Sequence, residues 1–176
     1  FEQTMLALYE EPECVKALLN RISEFYLMVT KKQMEYLKPD IYILMDDDSA
    51  YRSPFFSLDV YREFFKPFHK KHCELALEHG CRVVRHDCGR SEQFIADWLE
   101  MGIAAWNPAQ TTNDCRKIKE TYGDRLTIEG AWDSLPVPNM SDDELIACLD
   151  EYCETFLPGG RFVYYEENVR DWYKKH

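Results

Sequence analysis

The sequence predicts an α/β fold of the (β/α)8 TIM-barrel type, of which five strands and their helices are present. The first observation is a rhythm: five short apolar runs, starting near residues 41, 81, 103, 126 and 161, alternate with segments of helical spacing. Such alternation is typical of a parallel sheet with crossover helices. The second observation is that polar residues follow every run, at the strand ends where barrel enzymes build their sites. An open, doubly wound sheet is the alternative, and it is less favoured because no glycine-rich phosphate loop follows any run.

The first predicted element is a long helix from Pro12 to Leu37. Its apolar residues recur at helical spacing, and Pro12 lies in the first turn, where a missing N–H is least costly. The segment Lys38-Pro39-Asp40 ends it. The apolar run Ile41 to Met45 follows without a polar interruption, and it therefore predicts a strand that is buried on both faces.

The later elements repeat this order. A helical segment containing LDVYREFF and CELALEH leads to Gly80, a glycine of the kind that commonly follows a helix, and CRVVRH is the next strand. The helices EQFIADWLEM and 114–122 lead to the strands IAAWN and LTIEGAW. Ser141 and Glu144 form a capping-box pattern at the start of SDDELIACLDEYCETF, and RFVYY is the last strand. No linker or repeat divides residues 1–176, so we expect a single domain.

Composition excludes several classes of function. The net charge of −11 argues against a nucleic-acid partner, because affinity for phosphate backbones comes mainly from clustered Lys and Arg. Seven scattered cysteines without a CxxC pair predict free thiols in a reducing cytoplasm. No apolar run approaches the roughly 18 residues of a membrane span, so no membrane association is expected.

The strand run VVRH is followed by a pair of metal-binding side chains. His86 and Cys88 are two residues apart, so on an extended segment both project to the same side. Imidazole nitrogen and thiolate sulfur are common zinc ligands, and a bound zinc would convert a substrate thiol to its thiolate. The alternative is a hydrogen-bonded turn histidine beside a free cysteine. Arg82 and Arg85 have opposite parity on this run, so one of them must point inward.

Carboxylates follow two other predicted strands. Asp46 and Asp47 are candidates for a general base, a metal ligand or an anchor for a substrate amine. Asp48 is expected in a solvated loop that caps the next segment. Glu129 lies on an otherwise apolar strand, where an unpaired buried carboxylate is expensive. It either pairs with one of the two arginines or has a role at the site.

Two amides follow the strand IAAWN. Asn107 and Gln110 could hydrogen-bond a substrate or cofactor from the same rim, or NPAQ could be turn chemistry alone. The four histidines other than His86 lie on helical segments or at the terminus, and no role is assigned to them.

The sequence resembles a known family, the uroporphyrinogen decarboxylase-like superfamily. The similar segments occur in order and match its C-terminal half: MDDDSAYRSPFFSLDVYREFFKPFHKKH, RHDCG, EMGIAAWNPAQTTND, KETYGDRLTIEGAWD and FLPGG. The resemblance covers nearly the whole chain and implies a (β/α)8 barrel. The HxCG element is similar to the zinc-dependent methyltransferase branch, which moves methyl groups between corrinoid proteins and thiols such as coenzyme M.

The resemblance also implies residue roles and partners. His86 and Cys88 would bind zinc, and Asp46 and Asp47 stand where the family places an acidic pair. With Glu129, these two aspartates are the catalytic candidates. A corrinoid (cobalamin) protein and a small thiol or methylated substrate would be the partners. Two alternatives stay open, namely decarboxylation of a porphyrinogen, and a half-barrel that serves only as a binding or assembly module.

The chain departs from the family pattern in two respects. It holds about five strands, whereas a (β/α)8 barrel typically needs about 250 residues. Either an N-terminal half has been lost by truncation, or a second chain completes the barrel, for example in a homo-oligomer. The methyltransferases also take a further cysteine ligand from just after the last strand, and FVYYEENVRDWYKKH contains none. Glu166 or Glu167 would replace it, or the site holds metal weakly or not at all.

Overall fold

A computed structural model describes residues 1–132 and 139–164 of the chain. Its five strands form one parallel sheet in the order β1-β2-β3-β4-β5. They are β1 (Ile41–Met45), β2 (Arg82–His86), β3 (Ile103–Ala109), β4 (Thr127–Gly130) and β5 (Phe162–Val163). Each strand pairs with the next one along the chain, so the order never reverses as it does in a doubly wound sheet. The fold is therefore part of a (β/α)8 barrel, as the sequence predicts.

The helices connect these strands at the predicted places. They are α1 (Glu2–Glu10), α2 (Pro12–Leu37), α3 (Leu58–Val60), a π-helix (Tyr61–Phe65), α4 (Lys66–Glu78), a 3-10 turn (Glu92–Phe94), α5 (Ile95–Glu100), α6 (Cys115–Tyr122) and α7 (Asp142–Phe156). The predicted bounds of α2 are confirmed. Ser141 caps α7 through the expected reciprocal bonds with Glu144. None of the described helices combines the length and apolar character needed to cross a membrane.

The core lies between the sheet and its helices. Its largest fully buried side chains include Tyr61, Phe94, Trp98 and Trp106. The two tryptophan rings lie 5.6 Å apart, which joins α5 to β3. This packing fixes the positions of the strand ends that carry the candidate site.

The prediction that β1 is buried on both faces is wrong. Leu44 is 7% exposed on the face that packs against the helices, but Ile41, Ile43 and Met45 are 56%, 50% and 70% exposed. In a closed barrel this second face would line an interior that side chains from all the strands fill. Within the described residues, five strands leave that interior open, so the apolar run reflects a face that the described part of the chain does not cover.

Candidate metal centre

The ends of β1 and β2 bring three metal-binding groups together. His86 is the last residue of β2, Cys88 lies in the loop after it, and Asp47 follows β1. Met45 and His86 are register partners, so the segments that leave the two strands run side by side. The sequence predicted that the histidine and the cysteine project to one side, and the structure places them so.

The distances in this cluster suit a single ion. Cys88 Sγ lies 3.7 Å from His86 Nε2, and Asp47 Oδ1 lies 4.0 Å from that nitrogen. A ligand atom from each of the three residues lies within 4.8 Å of the other two. From zinc–ligand bond lengths of 2.0–2.3 Å, a tetrahedral ion would separate sulfur from nitrogen by about 3.6 Å and nitrogen from oxygen by about 3.4 Å. The sulfur–nitrogen and nitrogen–oxygen separations need to contract by no more than about 0.6 Å to match that geometry.

Cys88 is a thiol when no metal is present. Its half-buried position raises the pKa of the thiol above its ordinary value, and the nearby charges of Asp47 and Asp87 raise it further. The backbone N–H of Cys88 donates to Asp47 Oδ1 at 2.9 Å, which ties the carboxylate to the loop. Because metals bind the thiolate, entry of an ion would release the proton of Cys88.

Asn107 and Gln110 contact the loop after β2. Asn107 Oδ1 lies 3.0 Å from His86 Nδ1, and Gln110 Oε1 accepts from the N–H of Gly89 at 2.7 Å. An amide oxygen accepts only, so this contact is a hydrogen bond when Nδ1 carries the proton, and Nε2 then presents its lone pair to Cys88 and Asp47. The Asn107 amide therefore contacts the ring of His86, the Gln110 amide supports the loop, and the predicted contacts of both with substrate or cofactor stay a prediction.

Asn113 is a functional candidate that the sequence analysis missed. Its Oδ1 accepts from the N–H groups of Ser91 and Glu92 at 2.9 and 3.1 Å, and its Nδ2 donates to Gly89 O at 2.8 Å. It is 6% exposed. Nothing in TTND separates this asparagine from ordinary loop residues, because its partners lie 21–24 positions away in the sequence.

Gly89 gives the loop a turn that other residues would not adopt. Its φ is +93°, and a Cβ at this position would lie 2.6 Å from Ala50 O. The same oxygen accepts from the N–H of Arg90 at 3.0 Å. The loop after β2 is thereby pressed against the loop after β1, which keeps Cys88 beside Asp47.

We expect Gly89→Ala to destabilise the protein more than Gly80→Ala does. Gly80 has a similar φ of +80°, but nothing lies within 4 Å of the added Cβ. Gly80→Ala therefore carries only the backbone strain of about 1–2 kcal/mol. Gly89→Ala adds a collision, for which we expect roughly 1–3 kcal/mol more. Urea unfolding of both variants measures the difference, and equal losses would contradict the close approach of the two loops.

A buried ion cluster supports the same loops. Arg85 is fully buried, and its Nη2 donates to Asp48 Oδ2 at 2.6 Å and to Asp87 Oδ2 at 3.3 Å. Asp87 Oδ1 in turn accepts from the N–H of Asp48 at 3.0 Å. Burial raises the pKa of both carboxyl groups, although the guanidinium opposes that rise. Arg82 and Arg85 lie on opposite faces of β2, as their parity predicts: Arg85 points inward to the core between the sheet and the helices, and Arg82 is exposed on the same open face as His86.

Two predictions about charged residues require correction. Asp48 is not part of a solvated loop: it is 2% exposed, because the inward-pointing Arg85 draws it beneath the rim. Glu129 does not form the expected ion pair either, since Arg85 is occupied by Asp48 and Asp87 and, within the described residues, Glu129 has no charged partner. Glu129 is half-buried between buried neighbours on β4, so it shares the open face of the sheet with His86.

A second cluster beside the first includes a histidine to which the sequence analysis assigned no role. His69 Nε2 lies 3.3 Å from Asp46 Oδ2, and its Nδ1 lies 3.2 Å from the Tyr61 hydroxyl. Burial lowers the pKa of His69 to about 4, so the ring is neutral. Burial of Asp46 alone would raise its pKa, but the hydrogen bond from His69 and the charge of Arg85 hold it below the ordinary value. The paired aspartates are thus separated: Asp47 faces His86, and Asp46 faces His69.

The remaining predicted metal ligand cannot be compared with this geometry. Glu166 and Glu167 lie in residues 165–176, outside the described residues. Among the described residues, Asp47 is the carboxylate that completes the group formed by His86 and Cys88.

With the geometry in place, comparison with known proteins decides the family. The family described as uroporphyrinogen decarboxylase (URO-D) matches residues 1–163. The chain belongs to the uroporphyrinogen decarboxylase family. A methyltransferase from Methanosarcina mazei has a similar structure, with a TM-score of 0.68 at 18% sequence identity. The match covers 93% of this URO-D chain and 46% of the methyltransferase chain, so this chain spans about half of its length. No curated protein matches the sequence.

Proposed function

We propose that this URO-D family chain is part of a zinc-dependent methyltransferase that moves a methyl group between a corrinoid protein and a thiol. The observation that carries the proposal is the convergence of His86 Nε2, Cys88 Sγ and an Asp47 oxygen at the carboxyl rim of the sheet. Structural likeness to a methyltransferase agrees with it at the level of fold. The zinc site and the reaction are the proposed part.

The three groups fit a catalytic rather than a purely structural zinc. Catalytic zinc sites commonly use three protein ligands and leave a fourth position for water or substrate. The side chains of His86 and Asp47 are 26% and 52% exposed, so the cluster opens toward solvent on one side. Asp47 then takes the role that the sequence analysis gave to Glu166, and the ligand set is one thiolate, one imidazole and one carboxylate.

The zinc would lower the pKa of the acceptor thiol, because a coordinated thiol loses its proton readily. The remaining roles in the proposed reaction belong to side chains of this chain. Asn107 would hold the His86 ring, and the thiol proton would leave to solvent, with Asp46, ionised and hydrogen-bonded to His69 after the end of β1, as the candidate relay. With a methyl corrinoid as the donor substrate, the electron pair of the acceptor sulfur would form the new S–CH3 bond, and the electron pair of the broken carbon–cobalt bond would stay on cobalt. Glu129, on the same open face, is the second candidate for proton transfer.

We also propose that additional strands complete the sheet beside β1. The apolar side chains Ile41, Ile43 and Met45 are exposed on the inner face, and β1 pairs with β2 alone among the described strands. Exposed edges and apolar faces of this kind favour pairing with other chain segments. An N-terminal half of the barrel or a second copy of the chain would cover them.

Tetrapyrrole decarboxylation is the second candidate, because the matching family carries that name. It would need the rim carboxylates Asp46 and Asp47 but no metal. A non-catalytic half-barrel would need neither these carboxylates nor a metal.

A single assay separates these functions. The full-length protein, loaded with zinc, is mixed with methylcobalamin and 2-mercaptoethanol, and formation of the methyl thioether is followed together with the cobalamin spectrum. We expect turnover in the wild type and in Cys148→Ala, which removes another half-buried cysteine on α7, and none in Cys88→Ala. A zinc-loaded protein that transfers no methyl group but consumes uroporphyrinogen would contradict the proposal.

A further inference from the structure

Asn107, near the end of β3, contacts both β2 and the loop that follows it. His86 and Asn107 are register partners in the parallel sheet. The backbone N–H of Asp87 donates to Asn107 O at 3.0 Å, so the asparagine is anchored to the strand that carries His86. Its side chain is therefore held next to the imidazole ring by strand pairing and not by a flexible loop.

The contact decides which nitrogen of His86 carries a proton. Asn107 Oδ1 lies 3.0 Å from His86 Nδ1. In a neutral imidazole one nitrogen donates and the other accepts, so a donated bond from Nδ1 leaves Nε2 unprotonated. That nitrogen is the one that faces Cys88 Sγ at 3.7 Å and Asp47 Oδ1 at 4.0 Å.

We propose that Asn107 is a positioning residue for the metal site, which fixes the tautomer and the ring orientation of His86. The inference rests on the proposed function, because it concerns the ion that His86 would bind. Metal-ligating histidines usually donate their second nitrogen to an oxygen acceptor, and removal of that acceptor typically weakens metal affinity by about 10- to 100-fold. The sequence alone suggests Asn107 as a contact for substrate or cofactor. The hydrogen bond to His86 gives it a different role.

The effect of Asn107 on the His86 ring can be separated from the support of the loop after β2. Gln110 and Asn113 hold Gly89 through its N–H and its carbonyl oxygen, at 2.7 and 2.8 Å. These contacts persist when the side chain of Asn107 is shortened, because they come from other residues. A change at Asn107 should therefore alter the ring of His86 while the loop keeps its path.

The test compares Asn107→Ala with Asn107→Asp, which keeps an acceptor oxygen in the same place. Asn20→Ala is the matched control, since Asn20 carries the same amide on α2 and, within the described residues, donates a hydrogen bond to Glu24 in an exposed pair. Zinc affinity is measured by competition with a chromophoric chelator. We expect Asn107→Ala to weaken affinity about 10- to 100-fold, and Asn107→Asp and Asn20→Ala to stay within about 3-fold of the wild type.

Nitrogen-15 NMR of the metal-free protein supplies a readout that a merely structural role would not change. His86 signals are assigned with His86→Gln. We expect the proton on Nδ1 in the wild type and in Asn107→Asp, and on Nε2 in Asn107→Ala. The wild-type tautomer is informative by itself if Asn107→Ala does not fold.

The two proposals fail in different ways. A wild-type protein that binds no zinc would contradict the proposed function, and the NMR measurement would still decide whether Asn107 sets the tautomer. A wild type with the proton on Nε2, or an Asn107→Ala variant with unchanged tautomer and zinc affinity, would overturn the inference about Asn107.

Discussion

Cys88→Ala and His86→Ala are each expected to abolish stoichiometric zinc binding. Either change removes one of three groups whose ligand atoms lie within 4.8 Å of one another. We expect the loss of a direct ligand to weaken affinity by more than about 100-fold, the upper end of what removal of a supporting hydrogen bond produces. Metal analysis after dialysis, together with titration calorimetry, measures stoichiometry and affinity.

The control for this experiment is Cys148→Ala. Cys148 and Cys88 are both half-buried free thiols, but Cys148 lies on α7 and is not part of the cluster. The Cys148→Ala variant should retain one zinc per chain. Asp47→Asn should weaken binding less than the other two changes, because an amide oxygen replaces the carboxylate. Full zinc occupancy in Cys88→Ala would show that the ion is held elsewhere.

Arg85→Leu is expected to produce the largest loss of stability of any single charged-residue change. The substitution leaves two buried carboxyl groups, Asp48 and Asp87, without the guanidinium that contacts both. Removal of one member of a buried ion cluster typically lowers the free energy of unfolding by about 3–5 kcal/mol. Arg82→Leu, on the same strand but exposed, should change it by less than about 0.5 kcal/mol.

The loss in Arg85→Leu should depend on pH. Burial raises the pKa of Asp48 and Asp87 in the folded protein, and removal of Arg85 takes away the positive charge that opposes that rise most strongly. A carboxyl group with a raised folded pKa stabilises the fold below its unfolded pKa of about 3.9, and that stabilisation is lost as pH rises through the folded pKa. The difference in unfolding free energy between the variant and the wild type should therefore be larger at pH 8 than at pH 5. A difference that is equal at both values would contradict a buried carboxyl pair.

Much of the fold could be predicted from local pattern. The bounds of α2 follow from a proline in the first turn, a long helical period and the Lys38-Pro39-Asp40 stop. The start of β1 follows from the apolar run after Lys38-Pro39-Asp40, and the starts of the later strands follow from apolar runs that come after glycines. The exposure of Ile43 could not be predicted in this way, because an apolar run reports that a face is suited to burial and does not report what covers it.

The candidate site, like the fold, could be predicted from the sequence only in part. The convergence of His86 and Cys88 depends on a two-residue spacing within one segment, which the sequence displays. The approach of Asp47 depends on the register between β1 and β2, and the burial of Asp48 depends on which arginine turns inward. Those facts involve residues about 40 positions apart, and the contact of His69 with Asp46 spans 23 positions. A single sequence carries little information about such pairs.

The most direct test of the proposed zinc site is X-ray absorption at the zinc edge of the metal-loaded wild type. The proposed ligands predict a single sulfur neighbour at about 2.3 Å, from Cys88, and nitrogen or oxygen neighbours at about 2.0–2.2 Å, from His86, Asp47 and one exchangeable ligand. A zinc shell with no sulfur, or with two or more, would contradict it.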